Sequence, residues 1–170
     1  MSFHYQAILE MKKMLANLDK WIEKTVAYAQ KKPFDPNTLV TARLAPDQYP
    51  LVRQIQSACD TAKFTGARLT GKEAPKHPDT EQTIDELRAR IRAATSYLET
   101  LKAEDFKGAG ERRVELSFLE GKVILGDDYL VEMAIPNFFF HVAHAYAILR
   151  HNGVDLGKRD YIGSLTTQDR

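Results

Sequence analysis

Between Phe3 and Lys31, apolar side chains recur at Ile8, Met11, Leu15, Leu18, Ile22, Val26 and Ala29, the spacing of one helix face. Met14, Trp21 and Tyr28 widen that face, and Pro33 and Pro36 end it. A helix of this length spans roughly 30–40 Å at about 1.5 Å per residue. In a chain of 170 residues such a rod has to be covered by others of similar length. The expected fold is therefore all-α, a helical bundle in one domain over residues 1–170.

Three further helices supply the cover. The second is expected from Tyr49 or Pro50 to Leu69, ended by Gly71, with Val52, Ile55, Cys59, Ala62 and Leu69 inward. Arg53, Gln56, Asp60 and Lys63 form a polar stripe beside that face, either solvated or lining a pocket in the bundle. Gly66 permits close helix packing. The third helix is expected to start at Asp79, with Gln82 completing a capping-box-like pair, and to run to about Lys102. Ile84, Leu87, Ile91, Ala94, Leu98 and Leu101 face inward, and Glu86, Arg88, Arg90, Arg92 and Glu99 read as a solvated face. The fourth runs from Pro136, suited to the first helical position, to a left-handed Gly153.

The connections read differently. Thr38 to Leu44 suggests one or two helical turns inside a loop. Residues 113–118 alternate, a Gly-containing turn follows, and Lys122 to Leu125 extends again, which predicts a short β-hairpin between helices three and four. Asp128 to Ala134 predicts a short helix stopping before Pro136, and Tyr161, Ile162 and Leu165 are candidates to pack back from the tail.

Lys plus Arg number 24 against 23 Asp plus Glu, so no net field draws nucleic acid or an anionic membrane. No run approaches eighteen apolar residues, which argues against a membrane-spanning helix. The N-terminal stretch carries Glu10, Lys12 and Lys13, unlike a signal peptide. A lone Cys59 excludes an intrachain disulfide and fits a reducing cytoplasm.

Chemistry-bearing groups gather in PNFFFHVAHAYAILRHNG, residues 136–153, where Asn137, His141, His144, Ile148 and His151 fall along one helical stripe. His141 and His144, three apart, have a spacing that can place two imidazoles on one metal ion. Asp60, or Gln56 as a neutral oxygen ligand, would be the partner on the second helix. Core histidines satisfied by hydrogen bonds, and a metal-free pocket for a small molecule, are the other two readings.

The stretches Arg43 to Gly71 and PNFFFHVAHAYAILRHNGVDLGK, residues 136–158, resemble a bacterial family of unknown function within the DinB/YfiT-like superfamily. The resemblance extends over essentially the whole chain. It implies a four-helix bundle, often dimeric, with a metal held by three histidines, one on the second helix and two in an H-x-x-x-H on the last. Some members of that superfamily are metal-dependent thiol transferases or thiol-dependent isomerases. Here residues 53–69 contain no histidine, and Asn137 stands where the first histidine of the H-x-x-x-H would fall.

The expectation is thus a DinB-like, cytoplasmic, homodimeric and non-catalytic four-helix bundle with a degenerate metal site and a pocket around Asn137, Gln56, Asp60, His141 and His144. The alternative is a transferase of thiols or other groups, binding zinc or nickel through His141, His144 and Asp60. Whether the chain is an enzyme stays open at this level.

Overall fold

Helix α1 spans Phe3–Lys31, the interval read from its periodicity, and buries Ile8, Met11, Leu15, Leu18, Trp21 and Ile22. The coordinates are a computed structural model and describe residues 2–169. Helices α2 (Leu51–Thr70), α3 (Ile84–Glu99) and α5 (Ile135–His151) complete the bundle. Helix α2 packs between α3 and α5, and α1 closes the ring by touching the same two. Gly66 lies where α2 meets the end of α3, and a Cβ there would come within 2.5 Å of Leu101 Cδ1, so the close-packing expectation holds.

The ends of α2 and α3 follow their capping chemistry. Gly71 closes α2 in the left-handed region, at φ 73°, with its N–H on the Ala67 carbonyl. Helix α3 starts later than the sequence suggested. Its N-cap is Thr83, not Asp79, and a reciprocal capping box joins Thr83 to Glu86. Threonine with glutamate three residues on outcompetes the Asp79–Gln82 pair, because Asp79 is engaged elsewhere. The turns before α2 are a 3-10 segment, Pro36–Thr41, capped by Asp35.

Strands β1 (Arg113–Glu115) and β2 (Val123–Leu125) form the expected antiparallel hairpin, with Val114 opposite Ile124. Glu120 and Gly121 both take positive φ in its turn.

The helix carrying His141 does not begin at Pro136. The chain is helical from Gly126: α4 (Gly126–Asp128) leads into a π-helical segment, Tyr129–Ala134, and directly on to α5. Proline has no N–H and its ring collides with the carbonyl four residues back, so an unmodified α-helix cannot pass through it. Widening the preceding turn relieves the collision. The Ile135 N–H donates to the Leu130 carbonyl, five residues back. The far end behaves as expected, with Gly153 at φ 93°.

After α5 the chain returns across α1. In α6 (Lys158–Ile162), Tyr161 stacks on Trp21 with ring centroids 5.5 Å apart, and Trp21 Nε1 donates to the Asp160 carbonyl at 3.0 Å. Ile162 and Leu165 stay exposed, against expectation. Val154 and Leu156 are the apolar tail residues that enter the core instead.

Gly126 sits against the hairpin approach so closely that a Cβ would lie 1.9 Å from the Ala109 carbonyl oxygen. Backbone cannot yield there as a flexible side chain would. Gly126→Ala should therefore destabilise the fold by about 2 kcal/mol or more, measured by urea denaturation. Gly157→Ala, where the nearest atom is 3.9 Å away, should lie within about 0.5 kcal/mol of the parent.

Candidate functional site

The polar stripe of α2 faces a cavity of about 310 Å³ between α2, α5 and the π-helical segment. Gln56, Asp60, Asn137 and His141 all line it, so four of the five residues singled out from the sequence share one space. His144 does not. Around α5 it lies about 20° from Asn137, but seven residues, about 10 Å, farther along the axis, beyond the cavity lining. Its Nδ1 donates to the Phe140 carbonyl at 2.7 Å, and its ring lies 4.0 Å from that of Phe140. His151 is exposed at the end of α5. The stripe read from Asn137 to His151 thus reaches the cavity only through its first two members.

The floor of the cavity is an ion-pair network centred on Arg90, which is 3% exposed. Its Nη2 donates to Asp60 Oδ1 at 2.8 Å and to Asp79 Oδ1 at 3.1 Å. Its Nη1 donates to Glu81 Oε1 at 2.9 Å and to the Pro78 carbonyl at 3.1 Å. The expected solvated face of α3 therefore fails at Arg90. That residue lies three after Leu87 and one before Ile91, on the flank of the buried stripe, and this was the signal available in the sequence. Removing a guanidinium from water is tolerated because three carboxylates and a carbonyl replace its solvation.

Asp60 is held twice. Besides Arg90 it accepts from Lys63 Nζ at 2.8 Å, and Lys63 is almost wholly buried. Gln56 bridges outward, donating through Nε2 to Glu81 Oε2 at 2.8 Å and accepting from Arg53 Nη1 at 3.1 Å. Arg53 also pairs with Asp79 Oδ2 at 2.6 Å. Asp79 thus serves this network rather than capping α3.

His141 closes the opposite wall. Its Nδ1–H donates to Gln54 Oε1 at 2.8 Å, and Gln54 Nε2 donates to the Tyr49 carbonyl at 3.1 Å. Because the Gln54 oxygen only accepts, the proton of the neutral ring sits on Nδ1, and Nε2 keeps its lone pair. Burial, then the positive charges that His144 and Arg53 can present, lower its pKa to about 4. Asn137 Nδ2 donates to Thr61 Oγ1 at 2.7 Å. Among the described residues, no three His, Cys, Asp or Glu side chains converge as a set able to hold a metal ion. Cys59 is no substitute, since burial pushes its thiol up to about 12.

Sequence reasoning missed Arg68 and Tyr129. Both line the cavity, Arg68 Nη1 donates to the Tyr129 hydroxyl at 3.0 Å, and the Tyr129 hydroxyl lies 3.4 Å from Thr65 Oγ1. Tyr129 reaches the cavity because the π-helical turn begins there.

A family model described as a domain of unknown function, DUF1993, matches residues 3–162. The chain belongs to this family. A crystal structure of a DinB family member protein from Shewanella denitrificans is 44% identical, covers 98% of this chain and 95% of its own, and superposes with a TM-score of 0.94. The DUF1993 chain is accordingly a DinB-like bundle, as its resemblance implied. No curated protein matches it.

The His141 pKa has a direct consequence. A folded pKa near 4 against an ordinary 6.5 means that the unfolded chain takes up a proton first as pH falls. The associated stability is full above about pH 6.5 and is lost progressively towards pH 4. An NMR titration should find the His141 ring signals with a midpoint below 5. His141→Asn should flatten stability between pH 6.5 and 4 relative to the parent.

Proposed function

We propose that this DUF1993 chain is a metal-free, non-catalytic binding protein whose cavity between α2 and α5 takes a small molecule. The observation that carries the proposal is the double engagement of Asp60 by Arg90 and Lys63. A metal ion at Asp60 would have to displace or face two cations. The lining otherwise offers Asp79, itself paired with Arg53 and Arg90, and one imidazole nitrogen, His141 Nε2, since His144 lies outside it. One neutral nitrogen and two neutralised carboxylates do not fit the zinc or nickel ion of a three-histidine site. What the walls do offer is a mixture of donors, acceptors and aromatic faces suited to orienting an organic ligand.

Metal content tests this directly. Protein grown with added zinc and nickel, and purified without chelator, should carry far less than one equivalent of either by mass spectrometry. His141→Ala should change nothing. Near-stoichiometric metal that disappears in His141→Ala would overturn the proposal and favour the transferase reading.

The reading also takes the chain to be a cytoplasmic homodimer. Supporting this are the single reduced cysteine and the exposed side chains of Phe3, Val131 and Phe140, which a partner surface would cover. No helix among the described residues is long and apolar enough to cross a membrane. Sedimentation at micromolar concentration should show the dimer mass, and monomer alone would remove this part.

A further inference from the structure

The charges around the cavity are almost matched. Arg53, Lys63 and Arg90 are taken up by Asp60, Asp79 and Glu81 through contacts of 2.6–3.1 Å. Arg68 lines the same space and has no carboxylate within salt-bridge distance among the described residues. It is nonetheless well positioned. The guanidinium carbon lies 5.3 Å from the Phe64 ring centroid and 5.5 Å from that of Tyr129. The hydrogen bond to the Tyr129 hydroxyl uses one of its five N–H groups.

A guanidinium held against aromatic faces loses little entropy when it binds, and its planar fork matches the oxygens of a carboxylate or phosphate. The other charged groups on the cavity do not compete for it. Asp60 is directed into Lys63 and Arg90, and Asp79 into Arg53 and Arg90. Across the space, His141 Nε2 accepts a hydrogen bond and does not donate one, so it would suit a hydroxyl or N–H elsewhere on the ligand.

We infer that the cavity ligand is a small organic anion whose carboxylate or phosphate docks on the unpaired Arg68 guanidinium. This rests on the metal-free binding reading and adds the class of molecule bound.

Three probes of similar shape separate the possibilities: benzoate, phenyl phosphate and neutral benzamide. Each is titrated into ¹⁵N-labelled protein while the Arg68 Nε–H and the amides of Phe64 and Asn137 are followed. At least one anion should give saturable shifts with an affinity on the order of tenfold or more above benzamide's. The tighter of the two anions identifies the group recognised.

Arg68→Gln should abolish the preference and Arg68→Lys should keep part of it. Arg92→Gln, on the exposed side of α3, should keep all of it. Should Arg68→Gln not fold, Arg68→Lys against Arg92→Gln still decides. Equal binding of all three probes, or a preference that survives loss of the arginine, would overturn the anion assignment while leaving the cavity reading in place. If no probe shifts any cavity resonance, both fall.

Discussion

A guanidinium withdrawn from water at Arg90 sets the terms for one side of this bundle. Such a group is stable only where partners replace water, and here both Nη groups are met by Asp60 of α2 and by Pro78, Asp79 and Glu81 of the segment leading to α3, while Nε is left without a partner. That segment has no regular secondary structure of its own before Thr83. Its attachment to α2 runs through this network, with Gln56 and Arg53 adding two further ties. The same contacts decide the chemistry of the cavity above. Asp60 is satisfied from below, so the polar groups left to the cavity include Arg68, Asn137, Ser57 and the far nitrogen of His141.

The second organising feature is the passage of the chain through Pro136. A helix forced to accommodate that ring spends its distortion in the π-helical turn before it. The turn delivers Tyr129, Met133 and Ala134 to the cavity wall. Tyr129 in turn fixes Arg68, so a backbone adjustment on one helix positions a cation on another.

Much of the fold was legible because helix periodicity and turn glycines act locally. The span of α1, the stop at Gly71, the left-handed Gly153 and the presence of the hairpin are all of this kind. Of the candidate site, the residues that share a wall with α2 were legible, namely Gln56, Asp60, Asn137 and His141. His144 was misplaced because helical spacing gives a residue's side and not how far along the axis a cavity extends, and the three consecutive phenylalanines 138–140 hide which face turns inward. Arg90 and Asp79 were missed for a different reason. Each looks solvated or capping in its own segment, and only their meeting beside α2 withdraws Arg90 from water and ties the exposed Asp79 to it. Pro136 misled in the same way, since the sequence pattern of a helix start is also that of a proline preceded by a widened turn.

The account turns on Asp60 being bound to Arg90 rather than available to a ligand, and a double-mutant cycle of Arg90→Met and Asp60→Asn reads that coupling most directly. A coupling energy on the order of 1–3 kcal/mol in urea denaturation is predicted, unchanged by added zinc. Strictly additive effects, within about 0.3–0.5 kcal/mol, would contradict it.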